Sequence, residues 1–425
     1  MNQQVDQRAQ DLRRRDDSAH AAAGPVLVTA GDAASLPPRR WDAIKGDLAG
    51  GATSGIVALP QTITIGALAF APLGPGYVTY GILAGFYCSI VSGLLVALCG
   101  GTRFGVGGPR SSFSLVMALI LSALLAHETG LAGAGVARVL VLTFLAVSLA
   151  GLLQIAFGAI GAGSYIKFIP HPVVAGFMNG LALLILVSQL PALAGIARDT
   201  RWWDFQTILD QLQFATAAVA LMTFLIMSSV GRTWPRLPAA LIAVAGGTAF
   251  YYALSYYPAA SRFGVPHLGA LVGTIPASFP APAFLGKFVA AAGEKQTWYL
   301  LWQIAPSIAV LALLGALESL MCAVAVGQLS GRRPEANREL IAQGVSNLAG
   351  GVFGAVFGGS TSSRTMLNYR AGGRGRLSGV THAGVMLLAL MTAQFWVAHL
   401  PQVVLAAVLT TIALGMFDGW TRDII

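Results

Sequence analysis

Charge is what this sequence has least of. Only 10% of its 425 residues are Asp, Glu, Lys or Arg, against roughly 25% in a soluble globular domain. Such a chain cannot cover a water-exposed shell, and with 56% hydrophobic residues it reads as a protein that crosses a bilayer many times. Cysteine is scarce too. Cys88, Cys99 and Cys322 each lie alone inside an apolar run, which excludes a disulfide framework and a zinc site, so no metal is expected. Hydrolase and protease signatures are absent, and His127, His171 and His382 fall at the ends of apolar segments; no enzyme activity is expected. The net charge of +9 comes from Lys and Arg placed between apolar segments, where such residues orient a membrane protein. Nucleic acid is therefore not an expected partner; the lipid bilayer is.

At about 20 apolar residues per crossing, the sequence predicts segments at 47–70, 78–100, 108–126, 134–158, 170–194, 213–231, 238–257, 300–328, 339–359, a short half-helix at 361–369, 378–399 and 401–418. Residues 1–40 are polar and basic, with Arg8, Arg13, Arg14, Arg15, Arg39 and Arg40, and hold no apolar stretch of signal-peptide length. They are expected as a cytoplasmic N-terminal tail of low order, in a protein of the bacterial inner (plasma) membrane. Alternating from that start places Arg103, Lys167, Arg232, Arg236, Arg332, Arg333, Arg338, Arg370, Arg374 and Arg376 inside. Arg138, Arg198, Arg201, Arg262, Lys287 and Lys295 fall outside, so the positive-inside bias favours this orientation. It also requires 361–369 to count as a crossing.

Two short stretches share an opening. "GGPRSSFSLV" at 107–116 and "GGSTSSRTML" at 358–367 repeat Gly-Gly-x-x-Ser-Ser at an offset of 251 residues. The same offset carries the first predicted segment close to the eighth and the third onto the tenth. An odd number of crossings separates the copies, so the second enters the membrane in the opposite sense, the inverted-repeat plan of many secondary transporters. Domains follow: a first repeat at 41–258, an extracytoplasmic loop at 259–299 and a second repeat at 300–425.

Glycines that sit poorly inside a helix, followed by hydroxyls suited to capping, read as extended chain turning into a helix within the membrane. The unpaired N–H groups at such starts are tolerated there only facing protein, water or a ligand. Two starts entering from opposite sides aim their positive ends at a common midplane point, which suits an anion. Arg364 adds a permanent charge and bidentate donors at that point; the alternative is a guanidinium reaching an interface or an acid. Glu318, in "LALLGALESLMCAV", is the acidic residue placed well inside an apolar segment. It is the candidate for coupling through a proton or sodium ion, with a structural pairing to Arg364 as the other reading.

These stretches, with "LPQTITIGALAFAPLGPGYVTYGI", "GALESLMCAVAVGQLSGRRPEANRELIAQGVSN" and "GGSTSSRTMLNYRAGGRGRLSG", resemble the SulP anion transporters, which include sulfate permeases, bacterial bicarbonate transporters, pendrin and prestin. The resemblance runs from about Asp47 to Asp418. It implies an all-helical, seven-plus-seven inverted-repeat fold of the nucleobase-transporter type. A core domain of helices 1–4 and 8–11 would move against a gate domain of helices 5–7 and 12, and the chain would form homodimers. By position, the substrate site falls on Gln61, Ile65, Arg110, Ser363 and Arg364, with Ser111, Ser112 and Ser362 at the two half-helix starts and Glu318 at the coupling position.

The chain departs from the family at Ile65, where relatives often carry an aromatic, and at Arg110, where they carry a small or aromatic residue. A second arginine either alters the preferred substrate charge or faces the cytoplasm. Against a complete second repeat, about two helices and the regulatory STAS domain are absent from this sequence. The expected function is secondary transport of a small inorganic anion, sulfate or bicarbonate foremost, coupled to H+ or Na+ and needing no cofactor. Anion exchange or channel-like conductance of chloride or dicarboxylates is the alternative, while a nucleobase symporter would need acidic substrate ligands that Arg364 argues against.

Overall fold

A computed structural model describes residues 40–127, 134–164, 171–196, 213–234, 239–256, 271–273, 278–331, 335–392 and 398–416. The expected N-terminal tail, 1–39 of it, lies outside the described residues. Fourteen helices are described: α1 (Arg40–Ala69), α2 (Val78–Cys99), α3 (Ser111–His127), α4 (Ala134–Ala159), α5 (His171–Ala194), α6 (Phe214–Thr233), α7 (Ala239–Tyr256), α8 (Leu285–Ala292), α9 (Lys295–Gln303), α10 (Ala305–Ser330), α11 (Ala336–Val352), α12 (Ser362–Arg370), α13 (Arg376–Thr392) and α14 (Gln402–Met416). Two three-residue strands, β1 (Gly107–Pro109) and β2 (Gly358–Ser360), precede α3 and α12.

Each predicted segment corresponds to a helix, and two further short ones appear, α8 inside 259–299 and α9 starting there and running on to Gln303. These expose Leu285, Val289, Trp298, Tyr299 and Trp302, the aromatic composition that suits a membrane–water interface. An ion pair of 2.9 Å between Arg138 and Glu294 joins α4 to the residue that opens α9.

Among the described residues, six helices are long and apolar enough to span a bilayer: α1, α2, α4, α6, α7 and α10. Helix α3 has 17 residues and α12 only nine, and each follows closely on a strand. Their strands pair antiparallel, Gly107 with Ser360, Gly108 with Gly359 and Pro109 with Gly358. That is the sense expected of two copies entering from opposite sides.

From Ala43 onward the described chain forms one unit, within which the helices gather into two groups. Helices α2, α3, α4, α10, α11 and α13 pack on one another and on the strands, while α5, α6, α7 and α14 pack together. Glycine makes the first group tight. A side-chain carbon at Gly151 of α4 would lie 2.5 Å from the Leu348 amide nitrogen of α11, and one at Gly85 of α2 would lie 2.7 Å from the Thr62 carbonyl of α1; small residues bring helix backbones this close in membranes. Phe70, Phe86, Phe113, Met117, Leu121, Leu142, Leu311 and Phe357 fill the remaining space, all fully buried. Burial separates the groups: 72% of the apolar window of α2 is buried against 28% for α6 and 17% for α7, so the latter two leave most of their apolar surface outside the described packing.

Candidate functional site

The β1–β2 ribbon is where the two copies meet, and every strand residue in it is buried. So short a ribbon leaves many backbone groups to satisfy, and neighbouring side chains do it. Asn347 accepts the Gly358 N–H at 2.8 Å and donates to the Gly358 carbonyl at 3.0 Å and to Gln154 at 2.8 Å. Thr361 N–H donates to the Val106 carbonyl and Val106 N–H to the Thr365 hydroxyl. The Ser360 hydroxyl donates to the Glu339 carboxylate at 2.9 Å, which also accepts from Gln343 and from the Gly101 and Thr102 amides. Glu339 is fully buried, although the sequence reading places it near a segment end. The signal for this network lies in the spacing: Glu339, Gln343 and Asn347 fall at i, i+4 and i+8, one polar stripe on one face of α11.

Where the ribbon gives way to α3 and α12, a cavity of about 210 Å³ opens. It is lined by Gln61, Ile65, Pro109, Arg110, Ser111, Ser112, Thr361, Ser363, Arg364 and Ile412. Seven of the eight substrate-site residues expected from sequence thus surround one space. The eighth, Ser362, does not line it; its hydroxyl lies against the Cys322 thiol of α10, because successive helix residues point about 100° apart. Ile412 of α14, from the second helix group, and Thr361 complete the wall.

The start of α12 is open toward this space. Its N-cap residue Thr361 is extended and makes no side-chain capping bond, and its hydroxyl oxygen has no hydrogen-bond partner. The first-turn N–H groups thus receive no bond from a capping side chain.

Arg364 sits beneath rather than beside the cavity, 3% exposed. Its Nε donates to Gln61 at 3.2 Å and its Nη2 to the Pro109 carbonyl at 2.9 Å, while Nη1 is without a partner. Two of its donors are thus engaged within the protein, while Nη1 and the charge are not matched by a protein partner. Gly108 makes room for it, since a side-chain carbon there would overlap Nη1. Both neighbours are neutral acceptors, so the positive charge stays uncompensated.

Arg110 is arranged differently. Its Nε forms an ion pair with Glu318, its Nη1 donates to the Ser360 carbonyl at 2.7 Å, and its guanidinium lies 5.7 Å from the Phe113 ring centroid. One of the sequence alternatives is thereby corrected. Glu318 pairs with Arg110 and not with Arg364, since α10 packs beside α3 and its carboxylate meets the chain just ahead of that helix. Arg110 also lines the cavity. Glu318 is buried, and its Oε1 has no hydrogen-bond partner.

Among the described residues the arrangement therefore presents an uncapped helix start, one free positive charge and one neutralised ion pair to a small, partly open cavity, a setting that suits an anion. Comparison with known proteins agrees. Residues 44–423 match the model of the sulfate permease family. The chain belongs to that family. Among curated relatives of the sulfate permease family, the bicarbonate transporter BicA of Picosynechococcus sp. is 30% identical over 88% of this chain and 62% of its own length. The putative sulfate transporter YvdB of Bacillus subtilis is 28% identical over 88% and 64%. The chain thus spans a little under two thirds of these relatives.

Among solved structures, the transmembrane domain of a cyanobacterial BicA superposes with a TM-score of 0.75 at 26% identity, over 90% of this chain and 91% of that one. SLC26A9, at 20% identity and a TM-score of 0.71 over 91% and 60%, shares the fold. The chain has the inverted-repeat fold of the sulfate permease family, and the named members are transporters and permeases, not enzymes.

Proposed function

We propose that this chain carries a small inorganic anion, sulfate or bicarbonate, across the membrane as a secondary transporter coupled to H+ or Na+. The observation that carries the reading is the uncapped start of α12 above the uncompensated charge of Arg364, at the end of a small cavity. The names of the matched relatives, bicarbonate transporter and sulfate transporter, support the choice of anions. Ile412 faces the cavity from the second helix group, while α3 belongs to the first group and α12 packs on its helix α10. Movement of the first group against the second would carry the bound anion from one side to the other.

Glu318 is the coupling residue in this reading: a buried carboxylate with one unpartnered oxygen that can take up a proton or a sodium ion. Its ion pair with Arg110 favours a second reading, in which Glu318 is only a counter-charge and the protein exchanges anions or conducts chloride or dicarboxylates. Uptake of labelled anion into proteoliposomes, with a competition panel and imposed pH or sodium gradients, decides between them. Glu318→Gln is expected to keep anion-for-anion exchange and lose the response of uptake to the gradient. If the variant still accumulates anion against its gradient with the same ion dependence, coupling lies elsewhere.

A further inference from the structure

We infer that Arg110 sets the valence of the anion this cavity holds, by being either neutralised by Glu318 or released to the ligand. The inference rests on the anion-transport reading above. Two guanidiniums border the cavity, and the surroundings treat them unequally. Arg364 is held by the neutral acceptors Gln61 and Pro109, so its whole charge remains available. Arg110 is paired with the carboxylate of Glu318. With that pair intact the site carries one net positive charge, which a monovalent anion balances.

A divalent anion brings a second negative charge into the same small space. Arg110 is the lining residue with a charge left to meet it, since the other lining side chains are neutral. Giving Arg110 to the anion strands Glu318, which is buried and has an oxygen without a partner, and an unpaired buried carboxylate is strongly disfavoured. The intact pair therefore discriminates against divalent anions. Neutralising Glu318 removes that discrimination without touching a residue that lines the cavity.

The charge count dictates the test. The purified full chain in detergent is titrated with labelled sulfate, with nitrate as the monovalent competitor, in the parent, Glu318→Gln and the double variant Arg110→Gln/Glu318→Gln. Freeing Arg110 in Glu318→Gln should raise the sulfate-to-nitrate affinity ratio at least about tenfold, the value of one added charge-assisted contact. Removing Arg110 as well restores one net positive charge and should return the ratio to the parent level, an outcome that mere loss of packing would not produce. A ratio within about twofold of the parent's in Glu318→Gln, or one that stays high in the double variant, overturns the inference. Should the parent bind none of sulfate, nitrate and bicarbonate, the transport reading itself fails; binding with a flat ratio leaves that reading intact and removes only the role of Arg110.

Discussion

The two copies of Gly-Gly-x-x-Ser-Ser share a backbone and differ in where they place their arginine. In the first copy Arg110 stands just ahead of the serines; at the equivalent place in the second stands Thr361. In the second copy Arg364 follows the serines; its equivalent in the first is Phe113. Each arginine reaches across the ribbon to a backbone carbonyl of the other copy. Arg110 donates to Ser360 and Arg364 to Pro109, and these two acceptors are themselves equivalent under the 251-residue offset. The repeat thus sets the frame and a reciprocal clasp, whereas function sits in the residues that break the symmetry. The arginine with a carboxylate partner is poised to yield it; the one without keeps the site positive.

The sharpest way to break this comparison is to remove the uncompensated charge. Arg364→Ala is expected to weaken anion binding at least about tenfold, since a buried charge acting on a ligand contributes on the order of 2 kcal/mol. Calorimetric or competition titration of the parent and variant, both monodisperse in detergent, measures it. Equal affinities would make Arg364 a purely structural clasp.

A smaller effect tests whether the frame itself is symmetric. Asn347 locks both polar groups of Gly358, but the equivalent position in the first copy is Val96, and the polar side chain nearest Gly107, Ser92, has a hydroxyl oxygen with no hydrogen-bond partner. Asn347→Ala leaves buried groups unsatisfied and should cost about 2 kcal/mol of stability. Ser92→Ala should cost under about 1 kcal/mol. Thermal unfolding in one detergent compares them, and similar losses would mean that the second strand holds its place without the amide.

Much of this arrangement was legible in the sequence, for physical reasons that differ by region. Spans were readable because a bilayer demands long apolar runs and basic residues punctuate them, so the segment read at 213–231 falls within two residues of α6, Phe214–Thr233, at either end. The half-helix starts were readable because glycine pairs before hydroxyls are costly inside an ordinary helix. What stayed hidden were contacts between residues far apart in the chain. Glu318 and Arg110 are 208 positions apart, and no local pattern says which arginine an acid will meet. The depth of Arg364 was hidden likewise: the sequence puts a guanidinium near the site, while Gly108 and the Pro109 carbonyl decide that it lies below it. Helices α8 and α9 were missed because they are eight and nine residues long, too short for a spanning-length test.

The smallest effect belongs to Phe113, which stands where the second copy has Arg364. It is fully buried, packs edge-on against Phe357 with ring centroids 5.1 Å apart, and lies beneath the Arg110 guanidinium. If the copies were functionally interchangeable, a change here would disturb the anion as Arg364→Ala does. The asymmetric reading makes Phe113 a packing residue for α3, with its ring adding an aromatic pair and a weak cation–π contact worth about 0.5–1.5 kcal/mol together. Phe113→Leu roughly conserves apolar volume and removes the ring, so it should lower stability by about 1 kcal/mol and leave anion affinity within about twofold of the parent. Unfolding and titration on the same preparation report both quantities. A large loss of affinity with unchanged stability would show that Arg110 depends on that ring to hold its place at the cavity, and would extend the binding site into the first copy.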